Sequence, residues 1–399
     1  MEPIQKTKNI LATACLLVCF FTNCKKNELT PSDTDLQNIQ ADKSKARLML
    51  NNPAINTFAG SNVYGYAGDG GPVAYALLNS PSNVYVDKIR RDLYISDLGN
   101  NVIRKVDGRT GRITTVAGNG NAGFSGDGGP ATQASLAYAF HTATDNAGNL
   151  YISDLANNRI RKVDRRTGII NTIAGTGVPD FNGDGHKALE TNLNEPFGLV
   201  FDNNGNLIFS DGTGLRVRKL NMQTKIISTI AGSGDRGYAG DGGSAKNANF
   251  NFIWNITVDE ECGDIYVSDE FNYRVRKINA LTDKISTVAG NGVLGNSGMG
   301  VLATEASFAQ PVGIAIDKNG NLFISDEILS QVYAVDKKTG IIKLVSGNGT
   351  NGFAGDGGPA VNAILYHPNS LSFDADGNLL ICDGGNNRIR KIGRLNSVN

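Results

Sequence analysis

GDGGPATQASLAYAFHTATDNAGNLYISDLANNRIRKVDRRTGIINTIAG, running from Gly126 to Gly175, returns with small changes along most of the chain. The aspartate of its GDGG loop stands at Asp69, Asp127, Asp184, Asp241 and Asp356, and Met299 fills the equivalent place once. Subtraction gives steps of 58, 57, 57, 58 and 57 residues. A second mark, the aspartate that closes an apolar run, falls at Asp97, Asp154, Asp211, Asp269, Asp326 and Asp383. Six copies at a fixed period signify a repeat architecture, and this reading precedes any judgement from length.

Each copy divides into four short strands. In the quoted copy they are Phe140–Asp145, Leu150–Asp154, Arg159–Asp164 and Ile169–Gly175, here called A, B, C and D. Their β-branched and aromatic residues favour extended backbone, and DNAGN and DRRTG supply the hairpin turns between them. The B strands (LYISD, LIFSD, IYVSD, LFISD, LLICD) are apolar on both sides and so need cover on both faces. Neighbouring blades in a ring provide that cover. The expectation is an all-β, six-bladed β-propeller with four-stranded blades.

Closure is also legible. Ile55–Gly60 (INTFAG) reads like the D strand Ile113–Gly118 (ITTVAG), yet it precedes the first A strand. The last copy stops after its C strand, Arg388–Gly393. The N-terminal strand is therefore expected to complete the last blade and remove its open edge.

Composition narrows the function classes. Lys plus Arg and Asp plus Glu are both 38, so formal net charge is zero and no basic field serves nucleic acid. The 49 glycines recur at fixed repeat positions, which is turn chemistry and not low complexity. At the N-terminus, Lys6 and Lys8 precede the short apolar run Ile10–Phe21, which is too short to span a bilayer comfortably. Thr22, Asn23 and Cys24 follow, then two lysines, and this pattern resembles a bacterial lipoprotein signal with Cys24 as the lipidated residue. The expected organisation is a signal peptide at 1–23, a polar lipid-anchored tether at 24–54 and a propeller at 55–399. The expected location is a bacterial membrane, the outer one, with membrane contact through lipid alone. Cys262 and Cys382 occupy different repeat positions and are not expected to pair.

PFGLVFDNNGNLIFSD and NNRIRKVD resemble NHL repeats, with likeness extending over about residues 55–393. The resemblance implies a propeller and no single function, since such folds host sensors, scaffolds, RNA binders and a few lyases.

Chain direction places the A–B and C–D hairpins on one face and the B–C loops and long D-to-A connectors on the other. The loop-rich face is the expected binding surface. GDGG lacks the Lys-Ser/Thr of a phosphate loop and reads as a glycine-dependent turn. Asp180, Asn182 and Asp184 match the first half of a calcium loop, but position twelve is Thr191, with Glu190 one place early. The strand-end aspartates and the arginines that begin the facing strands are expected to pair structurally: Asp154 with Arg159, Asp211 with Arg216, Asp269 with Arg274, Asp383 with Arg388.

Function is expected where copies differ. Near the start of the A strands, Tyr138, Phe140, His141, Glu195, Phe197, Phe252, Trp254, Gln310 and His367 form a candidate ligand-binding rim, its aromatics suited to a sugar ring or a peptide. Repeat five departs most, with Met299 for the loop aspartate and Gln331 and Tyr333 for the two arginines. The expected activity is non-catalytic binding of a protein or glycan by a monomer, without a cofactor. The alternative is a channel-sited metal-dependent lyase or lactonase-like hydrolase; a zinc lyase would need several histidines converging on the channel, where His141 and His367 are the candidates, and calcium or zinc is the metal considered.

Overall fold

The computed structural model describes residues 53–395. The signal segment, Cys24 and most of the tether lie outside them. Six antiparallel four-stranded sheets follow one another around a ring. The first blade is β2 (Asn83–Val86), β3 (Leu93–Asp97), β4 (Val102–Val106) and β5 (Ile113–Ala117). The second runs from β6 (Ala139–Thr144) to β9 (Ile170–Ala174), the third from β10 (Pro196–Phe201) to β13 (Ile227–Ala231). The fourth runs from β14 (Ile253–Val258) to β17 (Ile285–Ala289), the fifth from β18 (Pro311–Ile316) to β21 (Ile342–Ser346).

The sixth blade is built from both ends of the domain. Its strands are β22 (Pro368–Phe373), β23 (Leu379–Asp383), β24 (Arg388–Ile392) and β1 (Ile55–Gly60). The β1–β24 register runs from Ile55 opposite Ile392 to Gly60 opposite Arg388. The connector entering this blade treats β1 as it treats any outer strand: Thr57 Oγ1 donates to Asp356 at 2.7 Å, as the Thr115 amide donates to Asp69 in the first blade.

All five B-strand residues are buried in five of the six blades, because adjacent sheets clamp both faces. Ile95, Ile152, Phe209, Val267, Ile324 and Ile381 form one layer of this inter-blade core. Each such side chain contributes on the order of 1.5–3 kcal/mol by leaving water.

The connectors do not simply cap the loop-rich face. Each descends along the outer strand of the blade it enters. In the first blade, Gly70 donates to Ile113, Ile113 donates to Gly71, and Val73 donates to Gly111. GDGG is thus the segment that pairs with the exposed edge of the outer strand and hides it from other chains. The glycine that ends each outer strand is forced. In the second blade Gly175 has φ +96°, and a Cβ there would sit 2.2 Å from the Asn158 carbonyl oxygen. Gly175→Ala is expected to lose about 2–3 kcal/mol in a denaturant titration, through left-handed backbone and this clash together.

Candidate functional site

The repeat carries a buried polar module that holds the loop-rich face in shape. Asp154 is fully buried at the end of β7 (Leu150–Asp154). It accepts the amide of Ala137 at 2.8 Å and the Asn157 side chain at 2.8 Å. Its ion-pair partner is Arg161 at 3.1 Å, not Arg159. The same displacement recurs: Asp211 meets Arg218, Asp269 meets Arg276 and Asp383 meets Arg390. The reason is the pleat. Arg159 lies directly opposite Asp154 in the ladder, and its side chain runs outward. It donates to the Asn157 and Thr176 carbonyls. Arg161, two residues on, reaches back beneath the loop. Burial is the larger influence on Asp154 and lifts its carboxyl to about 6, opposed by these donors and by Arg161.

Arg161 also binds the loop aspartate Asp127 at 2.7 Å. Arg104, Arg218, Arg276 and Arg390 do the same with Asp69, Asp184, Asp241 and Asp356. An aromatic three residues before that aspartate stacks on both arginines. Phe124 lies 3.9 Å from Arg159 and 4.9 Å from Arg161; Phe181, Tyr238 and Phe353 repeat the arrangement. Sequence reasoning missed this stack, although the aromatic's fixed place before the loop aspartate was visible.

The fifth blade replaces the whole module. Asn296 stands for the aromatic, Met299 for the loop aspartate, Gln331 and Tyr333 for the arginines. The replacements fit one another. Asn296 Nδ2 donates to Gln331 Oε1 at 3.0 Å, and the Tyr333 hydroxyl lies 2.7 Å from that oxygen and 3.1 Å from Asn296 Oδ1. Asp326 keeps its amide donors, Ala309, Gln310 and Leu329, but has no arginine.

At the centre of the loop-rich face the expected aromatic rim becomes a plug. Phe140, Phe197, Phe252 and Trp254 are all buried, Trp254 at 7% exposure. Trp254 of the fourth blade meets Phe140 of the second edge-on, with centroids 5.1 Å apart. Those blades are not neighbours, so the rings cross the channel and pack on Phe197 between them. An open stacking platform on these four rings is excluded, because each ring's faces are spent on the others. Among the aromatic candidates Tyr138, 37% exposed, is the one at the surface.

Histidines do not converge. His141 Nδ1 accepts the Leu199 amide of the next blade at 3.3 Å, and burial pushes its pKa down to about 4. His186 lies in a connector against the Asn182 carbonyl. His367 lies 3.0 Å from Glu327. Among the described residues no group of three or more His, Cys, Asp or Glu is arranged to hold a metal. Two of the calcium-loop candidates have other partners. Asn182 Oδ1 accepts the Asn192 amide, and Asp184 Oδ1 accepts from Thr229 and Arg218. Cys262 and Cys382 are both free thiols.

His141 makes a prediction with a sign. The unfolded imidazole protonates near pH 6.5 and the folded one near 4. Stability is whole above pH 6.5 and falls as pH drops toward 4, by up to about 3 kcal/mol from this residue. An NMR titration should place its midpoint near 4, and His141→Asn should flatten this part of the stability profile.

Gln310 and Glu195, also expected at the rim, are buried there. Burial lifts the Glu195 carboxyl to about 7, with the Asp211 charge adding to the rise. Gln310 Nε2 donates to Glu270 Oε1 at 2.5 Å. Glu270 and Glu327 were not foreseen. They follow the strand-end aspartates of the fourth and fifth blades, where the other copies have Leu98, Leu155, Gly212 and Gly384. They are buried and lie in the channel mouth with Gln310 and His367.

The NHL-repeat family profile matches residues 365–392. The chain is 30% identical to mouse (Mus musculus) Teneurin-3 over 77% of its own length and 12% of that protein's. It is 24% identical to NHL repeat-containing protein 2 of Gallus gallus over 76% of its own length and 45% of that protein's. The chain thus spans less than half the length of either curated relative. An auxiliary nutrient binding protein from Bacteroides ovatus superposes with a TM-score of 0.62 at 15% identity, covering 86% of this chain and 76% of the other. With β1 closing the ring, the chain is a six-bladed β-propeller whose last blade, β22 to β24, carries an NHL repeat.

Proposed function

We propose that the chain is an exported, lipid-anchored propeller that binds a protein or glycan on its loop-rich face without catalysing a reaction. The observation that carries this reading is the apolar surface left around the channel mouth after the four rings have packed on one another. Tyr138, Phe271 and Ile328 are exposed there on the second, fourth and fifth blades, and Tyr64 and Leu294 extend the surface along the connectors. Exposed aromatics on a rigid ring supply contact area at small entropic cost. The nutrient-binding propeller from Bacteroides ovatus is consistent with such a role. Anchoring rests on Cys24 and its flanking sequence: Cys24→Ala should move the protein from the membrane to the soluble fraction.

The test is capture from envelope extract and on a glycan array by the purified domain. Tyr138→Ala with Phe271→Ala should weaken capture at least tenfold with the thermal midpoint unchanged. Loss of capture on Ile89→Ala with Leu281→Ala, on the hairpin face, with none from the first pair, would refute the reading. The enzymatic alternative rests on the Glu327–His367 contact, an imidazole–carboxylate pair of acid–base type. It requires turnover of a lactone or related substrate that His367→Ala removes.

A further inference from the structure

The fifth blade lacks the arginine that the other blades set beside the strand-end aspartate. In the first, second, third, fourth and sixth blades the strand-end aspartate meets a buried arginine. In the fifth, Tyr333 and Gln331 have removed both arginines beside Asp326. Glu270 and Glu327 then add two carboxyls at the mouth. Among the described residues none of the three makes an ion pair with lysine or arginine, and His367 is the one basic side chain in contact with them.

Two polar atoms in this group have no partner. Glu270 Oε1 is satisfied by Gln310, but Oε2 is unpaired on a residue 1% exposed. His367 Nδ1 faces Glu327, but Nε2 is unpaired on a residue 5% exposed. The Glu327 charge lies close enough to push the Glu270 carboxyl further up, above what burial alone does. Buried polar atoms without partners are costly, and like carboxyls side by side are more so. The adjoining surface is apolar. Phe271 follows Glu270 and Ile328 follows Glu327 in sequence, and both are exposed. Phe252, whose carbonyl accepts the Glu270 amide, joins the mouth to Trp254.

We propose that Glu270, Glu327 and His367 form a binding site for an alkylammonium group, whose charged end meets the two carboxyls while its apolar stem lies on Phe271 and Ile328. The proposal rests on the loop-rich face being the binding face and adds the chemistry of what it takes. An ammonium group donates three hydrogen bonds and supplies the cation that the lost arginines no longer provide. A lysine-type stem matches an apolar lip beside a charged floor, and the nearby rings favour a cation over a neutral hydroxyl. A neutral sugar would bring no cation to a mouth that has lost its arginines. The ammonium can come from a lysine side chain of a protein or from a small free amine.

Trp254 is the chain's single tryptophan, so its emission reports on this mouth. The purified full-length protein is titrated with n-butylammonium, with the peptide acetyl-Gly-Lys-Gly-amide, with the same peptide acetylated on lysine, and with n-butanol and glucose. Butylammonium and the lysine peptide should change the emission saturably, and the three neutral probes should not. Tighter binding of the lysine peptide points to a protein ligand, equal binding to a small amine, and either supports the site. Glu270→Gln and Glu327→Gln, which remove charge at constant volume, should each weaken binding at least tenfold. Tyr333→Arg with Met299→Asp, which restores the arginine module of the other blades, should weaken it as much. Equal response to butanol or glucose, no response to either amine, or unchanged affinity in all three variants would overturn the proposal. Envelope capture that survives these variants but not Tyr138→Ala with Phe271→Ala would leave the face as the binding surface and remove only the ammonium site.

Discussion

Arg161→Ala is expected to cost about 3–5 kcal/mol of stability, the range for stranding a buried charge. The substitution leaves Asp154 buried with amide donors but no cation, and frees Asp127 and Phe124 from the connector side. The chain contains the control for this experiment. Replacing all four residues with those of the fifth blade, Phe124→Asn, Asp127→Met, Arg159→Gln and Arg161→Tyr, should recover most of the loss. The neutral set makes its own hydrogen bonds and leaves the aspartate on the Ala137 amide and the Asn157 side chain, without a cation, as Asp326 is. A denaturant titration separates the two outcomes. If the single and fourfold variants are equally unstable, the module is not a self-consistent unit.

Deleting residues 53–60 is expected to abolish cooperative folding. The ladder between β1 and β24 is lost at roughly 1 kcal/mol per hydrogen bond, and the burial of Ile55 and Ala59 goes with it. The total is about 5 kcal/mol or more, comparable with the whole margin of a typical domain. The exposed β24 edge would recruit other chains, so size-exclusion chromatography should show aggregates. A synthetic peptide of residues 53–60 added in trans should restore part of the monomer. A monomeric, cooperatively melting deletion variant would contradict the closure.

What was legible in the sequence follows from which interactions are local. The B-strand runs and the match of INTFAG to ITTVAG depend on one segment's own pattern, and both led to the observed blades and closure. The Asp–Arg pairing was placed two residues out of register, because ladder opposition does not say which side chain turns inward. Trp254 was read as part of an open rim, yet it crosses the channel to Phe140, a contact set by the ring's diameter and not by any spacing within a repeat. Glu270 and Glu327 were visible as departures from Leu98 and Leu155, but their approach to Gln310 and His367 joins successive blades some 40 residues apart. The aromatic–arginine stack was written in every copy but the fifth and needed the third dimension to be seen.

The most direct test of the closed ring is a crosslink between its two ends. Asn56 and Lys391 are register partners in β1 and β24. With Cys262 and Cys382 replaced by serine, Asn56→Cys and Lys391→Cys are introduced into the domain of residues 25–399 and mildly oxidised. A closed ring predicts near-complete intramolecular disulfide in a monomer that folds as before. Two thiols that stay free, or that pair only between molecules, would contradict it.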